Sequence, residues 1–269
     1  MRTINSIHYQ NGIVYRVNAR PSDASLGLAD ALVRLSESAV EIRTVCCFGI
    51  RLEGFSDAGW QTIRAWLVEA GLVSCSEAVS ASRFLHVEDA VRHLLARSLL
   101  RSVLTCQGVG ALPDVWPVNA WGKPDGVAWD MHFNLSHAGR EIWLACCREA
   151  AVGIDVEEGC PELSDLLPLL HPAEAECLSG DTDRLRRRRL WVRKEAVIKA
   201  TGKGLSLPLA DFRVALDDRV ESWLLQAPQE YPELWSTMDL PVPGPTAVAL
   251  AVRGRDMAVQ WRLARVFGE

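Results

Sequence analysis

The sequence predicts an α+β fold, on three observations. Strand-like and helix-like segments follow one another without the regular alternation that builds a doubly wound parallel sheet. Apolar residues form 49% of the 269-residue chain and charged residues 23%, enough apolar surface for a sizeable core under an ordinary charged exterior. No apolar run nears the roughly 20 residues that span a bilayer, and the N-terminal Met-Arg-Thr-Ile-Asn-Ser-Ile-His has no signal-peptide core. A cytoplasmic protein without a membrane partner is expected.

Each element has its own signal. Residues 4–18 alternate on either side of Asn11-Gly12, the pattern of a hairpin with a tight type I′ turn. Residues 22–38 place Leu28, Ala31, Leu32 and Leu35 on one helical face, with Ser22 or Asp23 as cap. A strand over 40–52 precedes a helix opened by Ser56 and Asp57, whose Trp60, Ile63, Trp66 and Leu67 share a face. A long helix over 84–105 carries the core stripe Val87, Val91, Leu94, Leu95 and Leu99. Residues 107–130, rich in Gly, Pro, Trp and Asp, form a loop holding Gly122-Lys123-Pro124. Strands are expected at 131–136, 141–147 and 151–156, then a Leu-rich connection to a helix started by His171-Pro172-Ala173-Glu174. The strongest helical segment is 183–201, stopped by Gly202. Strand character returns at 211–216, 221–225, 246–252 and 257–264. The segment VCCFGIRLE at 45–53 also echoes ACC and VGIDVE within 145–157, a short match that would place a half-boundary near residue 130 if it marked a duplication.

The eight cysteines contain no C-x-x-C pair, which argues against zinc. The vicinal pairs Cys46-Cys47 and Cys146-Cys147 lie in apolar runs and read as buried thiols. A net charge of -5 gives no general attraction to nucleic acid, so none is expected as a partner and any basic site is local.

The chemistry-bearing residues admit two readings each. Asp155 and Glu157, two apart in a strand, face one space. They are either a solvated edge or a hard-oxygen site for Mg²⁺. Glu195 and Lys199 share a helix face at i and i+4. They are either a surface pair contributing about 0.3–0.5 kcal/mol or a third carboxylate with an ammonium for a phosphate. Ser136 and His137 end a strand and diverge, so they are no nucleophilic dyad; they are exposed loop groups or phosphate contacts. Thr201-Gly202-Lys203-Gly204 lacks the Walker A spacing and reads as a helix C-cap. Arg184 and Arg186–Arg189 spread around a helix turn and cannot all meet one partner. They form a solvated face or a docking patch for an acidic protein.

Four segments in order, FLHVEDAVR, WGKPDG, FNLSHAG with VGIDVE, and WVRKEAVIKATGKGLSLPL, resemble the Sfp-type 4′-phosphopantetheinyl transferases over about residues 45–265. The resemblance implies two similar α+β halves with pseudo-twofold symmetry and the active site at their interface. The expected division is an N-terminal extension at 1–44, an N-terminal half at 45–130 and a C-terminal half at 131–269 carrying the metal site. The implied reaction moves 4′-phosphopantetheine from coenzyme A to a serine of an apo acyl or peptidyl carrier protein, with release of adenosine 3′,5′-bisphosphate, by a monomer. The resemblance makes Asp155, Glu157 and Glu195 ligands of Mg²⁺, with Mn²⁺ as the alternative. Glu195 resembles the general base and Lys199 the lysine beside the pyrophosphate. Coenzyme A is expected to meet Arg83, Arg92, Lys123, Pro124, Asn134, Ser136, His137, Asp155 and Lys199. One departure stands out. Glu77 and Ser80 occupy positions where family members commonly carry basic residues, leaving Arg83, Arg92 or the N-terminal extension as candidates for the 3′-phosphate. Two readings from other classes stand beside the transferase: a non-catalytic coenzyme A or carrier-protein binding module, and a metal-dependent coenzyme A phosphohydrolase.

Overall fold

Alternation along the strands decides the layering. A computed structural model describes residues 4–9, 12–18, 24–37, 40–217 and 222–268. The strands and helices run, in chain order, β1 Ile4–Tyr9, β2 Gly12–Asn18, α1 Ala24–Ser36, β3 Thr44–Glu53, α2 Asp57–Glu69, α3 Cys75–Ala81, α4 Val87–Cys106, β4 His132–Ala138, β5 Glu141–Cys147, β6 Val152–Glu157, α5 Leu163–Leu166, α6 Pro172–Leu178, α7 Arg184–Thr201, β7 Arg213–Val214, β8 Leu224–Gln226, β9 Ser236–Asp239, β10 Ala247–Val252 and β11 Ala258–Phe267.

A six-stranded mixed sheet has the order β1-β2-β11-β3-β5-β4, and a second sheet has the order β6-β10-β9. In β3, Cys46, Phe48, Ile50 and Leu52 face α1, α2 and α4, joining Leu32, Ile63, Leu94 and their neighbours in one core. Val45 and Cys47 point the other way with Trp143 and Leu263, against Val152, Ile154, Val156 and Leu250 of the second sheet. On that sheet's far side, Ala249 and Ala251 receive α7 through Ala196, Val197 and Ala200. The layers are therefore helices, sheet, sheet, helix, and the α+β expectation holds. Among the described residues no helix is long and apolar enough to cross a membrane.

The N-terminal hairpin is part of this architecture. β2 pairs in parallel with β11, so the first residues extend the large sheet. Asn11, Ser22 and Asp23, the expected turn and cap residues, lie outside the described residues. Three elements escape the periodicity reading: α5, a single turn within the expected Leu-rich connection, α3 and β9. α3 starts at a capping box formed by Ser74 and Glu77, and β9 is a four-residue edge strand. The strand expected over 211–216 shrinks to Arg213–Val214. The two Cys-Cys segments of the internal echo are antiparallel neighbours in one ladder, with Cys46 opposite Cys146. All four are buried free thiols.

Candidate active site

The site forms where β6 lies against α7. In β6, Val152, Ile154 and Val156 are packed into the intersheet core, which turns Gly153, Asp155 and Glu157 toward the helix. Gly153 permits the contact: a Cβ there would lie 2.1 Å from Ala196 O and 2.3 Å from Ala200 N. The helix can approach the strand this closely only over a glycine.

The helix is fastened from behind. Arg193, 1% exposed, donates to both Asp239 carboxylate oxygens, at 3.1 and 2.6 Å, and to Ala215 O. Lys194, 0% exposed, pairs with Glu174 at 2.7 Å and donates to Leu209 O at 2.8 Å. Asp183 caps the N-terminus through Leu185 N, and Gly202 ends the helix at φ 75°. The arginine run diverges as its spacing requires: Arg186 pairs with Asp181, Arg188 donates to Glu158 O and Arg189 to Leu216 O.

With α7 held, Lys199 Nζ lies 2.5 Å from Asp155 Oδ1 and donates to Ser136 Oγ at 2.9 Å. Ser136 Oγ donates to Asp155 Oδ1 at 2.8 Å. Asp155 Oδ2 is buried with no hydrogen-bond partner among the described residues. Glu157 accepts from the Trp191 side chain. Glu195 is half-buried on the same helix face as Lys199. Burial pushes all three carboxyls above the ordinary carboxylate range. The charge of Asp155 adds to the rise at Glu157 and Glu195, while the Lys199 cation opposes it at all three.

β4 closes the site from the other sheet. The free edge of β6 is satisfied by side chains instead of a strand: Ile154 N donates to Asn134 Oδ1 at 2.9 Å, Val156 N donates to Ser136 Oγ at 3.3 Å, and Lys123 Nζ donates to Val152 O at 3.1 Å. Lys123 also donates to Lys199 O at 2.6 Å, and burial lowers its pKa to about 8. Lys123, Pro124, Asn134 and His137 line one cavity together. Arg92 donates to Gly139 O at 2.6 Å beside the β4–β5 turn and pairs with Asp89. Desolvation and the Arg92 and Lys199 cations hold His137 below the ordinary imidazole range.

The structure thus joins Ser136, Asp155 and Lys199 directly, with Glu157 and Glu195 close enough to feel Asp155. It sets Lys123, Pro124, Asn134 and His137 on the adjoining wall, with Arg92 beside them. Arg83 stands apart, exposed between α3 and α4, and no hydrogen bond or ion pair joins it to the cluster among the described residues. Glu77 is 4% exposed and accepts from Arg101 at 2.7 Å and from Trp116 Nε1 at 2.6 Å, so the departure at this position has a structural reason. Sequence reading gave no role to Gly153, Arg193, Lys194 or Asp239, and placed Glu174 only in a helix start. The S-x-x-E capping signature at Ser74–Glu77 is a signal that could have revealed the start of α3 and the role of Glu77.

The donor set suits a hard divalent cation, since it offers three carboxylates, no nitrogen or sulfur, and one buried carboxylate oxygen without a partner. Among the described residues, no three His, Cys, Asp or Glu side chains are placed around one point that a cation would occupy.

Comparison with known proteins gives a consistent picture. A model of the 4′-phosphopantetheinyl transferase superfamily matches residues 151–252, the stretch holding β6, α7 and β10. A 4′-phosphopantetheinyl transferase of Bacillus subtilis is 37% identical over 155 residues, 54% of this chain and 67% of the relative. The 4′-phosphopantetheinyl transferase Sfp of Bacillus subtilis (strain 168) is 39% identical over 150 residues, 50% of this chain and 62% of the relative. The 4′-phosphopantetheinyl transferase HetI of Nostoc sp. is 32% identical over 197 residues, 69% of this chain and 80% of the relative.

Proposed function

The chain belongs to the 4′-phosphopantetheinyl transferase superfamily, and from that premise we propose that it moves 4′-phosphopantetheine from coenzyme A to a serine hydroxyl of an apo carrier protein. The observation that carries this reading is the Ser136–Asp155–Lys199 cluster, with Glu195 on the same helix face and one Asp155 oxygen left unpartnered.

In the reaction, the serine oxygen forms a bond to the β-phosphorus of the donor pyrophosphate. The bond from that phosphorus to the bridging oxygen breaks, and adenosine 3′,5′-bisphosphate leaves. Such transfer depends on in-line placement and on neutralising oxygen charge. Asp155, Glu157 and Glu195 would hold a divalent cation, Mg²⁺ in our reading, which when bound supplies that neutralisation. Glu195 takes the serine proton. Its raised pKa moves it toward the operating pH, where a general base works best. Lys199, oriented by Asp155 and Ser136, presents its ammonium to the departing phosphate. His137, held neutral, offers an N–H to a phosphate oxygen.

The two halves, 45–130 with α4 and 131–269 with β6 and α7, would meet at this site. The packing of α4 on one sheet and α7 on the other supports a pair of similar halves. Incubation with coenzyme A, Mg²⁺ and a panel of apo carriers is expected to add one phosphopantetheine mass to at least one carrier. No mass gain on any carrier sinks the reading.

A further inference from the structure

One side chain ties the loop that carries Lys123 to the end of α7. Residues 117–125 fold back on themselves: Val118 bridges Pro124, Asp125 N donates to Pro117 O at 2.9 Å and Asn119 N donates to Lys123 O at 2.9 Å. The half-buried Asn119 sits at the root of this turn. Its Oδ1 accepts from Trp121 N at 2.9 Å and from Lys123 N at 3.0 Å, so the turn wraps around the carboxamide. Its Nδ2 donates to Gly202 O at 2.9 Å, the C-cap carbonyl of α7, which has no partner within the helix. Gly202 lets the two come close: a Cβ there would lie 2.8 Å from Asn119 Nδ2 and 3.3 Å from Lys123 Cδ.

The tie works against a repulsion. Burial first, and then the Arg253 and Lys199 cations, disfavour the charged form of Lys123, with Asp125 opposing them. Two ammonium groups on separate segments repel unless the chain holds them in place. Lys123 Nζ donates to Lys199 O at 2.6 Å and to Val152 O at 3.1 Å, which leaves one of its three N–H groups for the cavity it lines. Those bonds end at a long flexible side chain. The bond from Asn119 to Gly202 joins the loop backbone itself to the helix. Asn119 is absent from the walls of that cavity, so its effect passes through Lys123.

We propose that Asn119 is a positioning residue of the transferase site: its carboxamide clamps the Lys123 turn to the C-terminal end of α7, so that Lys123 and Lys199 meet one donor at a fixed separation. The inference rests on the proposed function. A carboxamide suits the task because it joins an oxygen that accepts two bonds to a nitrogen that donates. Serine offers the turn an acceptor but does not extend to Gly202. Aspartate would set an oxygen against Gly202 O in place of the donor.

A double-mutant cycle tests whether Asn119 acts through Lys123. Calorimetry would measure coenzyme A binding to full-length wild type, Asn119→Ala, Lys123→Met and the double variant. Asn119→Ala is expected to weaken binding about three- to tenfold, the worth of one or two neutral hydrogen bonds. When Lys123 is already Met, the same change is expected to weaken it by less than about twofold. An equal loss in both backgrounds overturns the proposal, as does unchanged affinity in Asn119→Ala. Asn119→Ser keeps the turn and separates it from the clamp, and it replaces the alanine variant should that one not fold. It is expected to melt near the wild-type temperature and still bind coenzyme A as weakly as Asn119→Ala; wild-type affinity in Asn119→Ser would show that the turn alone matters and overturn the clamp. In carrier loading, Asn119→Ala should raise the KM for coenzyme A and leave the KM for the carrier unchanged, a split that lowered stability alone does not produce. An equal rise in both would count against the proposal. If wild type binds coenzyme A and the cycle behaves as expected but no carrier is loaded, the transfer reading fails and the clamp stands.

Discussion

Replacing Gly153 with alanine probes the joint between β6 and α7. The new Cβ would sit 2.1 Å from Ala196 O and 2.3 Å from Ala200 N, whereas real Cβ contacts stay beyond 3.0 Å, so the helix must retreat by roughly 1 Å. Both obstacles are backbone atoms, and no side-chain rotation relieves them. Overpacking of this kind destabilises by about 1–3 kcal/mol, which for a chain of this size lowers Tm by roughly 3–10 °C. Glu195 and Lys199 ride on the same turns as Ala196 and Ala200. Moving them away lengthens the 2.5 Å Lys199–Asp155 contact, and a misplacement of about 1 Å reduces turnover by up to roughly 100-fold. Intact-mass kinetics of carrier loading and a thermal melt measure the two effects separately. The variant is expected to remain folded, melt lower and lose kcat/KM by at least about tenfold. A Gly153→Ala protein with wild-type kcat/KM and Tm would refute the claim that close strand–helix contact sets the site.

Further outcomes follow from other contacts. Ser136→Ala removes the acceptor of Val156 N and the link between Asp155 and Lys199; it is expected to lower stability by about 1–3 kcal/mol in urea melts and loading by roughly tenfold, and unchanged values would remove Ser136 from the site. Glu77→Lys places a second cation beside Arg101 in a buried pocket and breaks the Trp116 bond. A loss of about 3–5 kcal/mol is expected, and a Tm equal to wild type would contradict the structural role of Glu77. His93 has a pKa of about 4 in the folded protein against an ordinary 6.5. The folded state therefore binds fewer protons between those values, and the stability present above pH 6.5 is lost as pH falls toward 4. His93→Gln should remove that part of the acid dependence, on the order of 1 kcal/mol for a half-buried ring. Parallel stability–pH curves for the two proteins would show that His93 is not depressed.

What was legible in the sequence follows the reach of local rules. Periodicity located α1, α2 and α4, whose apolar residues recur at helical spacing, and alternation located β4 and β6. The shared face of Asp155 and Glu157, and that of Glu195 and Lys199, follow from strand and helix geometry alone. Their convergence does not, since β6 and α7 are some 30 residues apart and only the motif resemblance united them. The roles of Asn134 and Ser136 as substitutes for a missing strand partner of β6 depend on how two sheets stack, which no local pattern encodes. The same holds for Arg193 and Lys194. Nothing in the local pattern marks them, and carboxylates of Asp239 and Glu174 reach them from distant segments and bury them. β9 was missed because four residues at a sheet edge carry too little alternation to register.

The most direct test of the central claim is the intact mass of one apo carrier after reaction with coenzyme A and Mg²⁺, using wild type and Glu195→Gln side by side and with a chelator as a third arm. The account predicts a gain of one phosphopantetheine by wild type, a rate at least about 100-fold lower for Glu195→Gln, and none with the chelator. Loading by Glu195→Gln at the wild-type rate, or loading that persists under chelation, would contradict it.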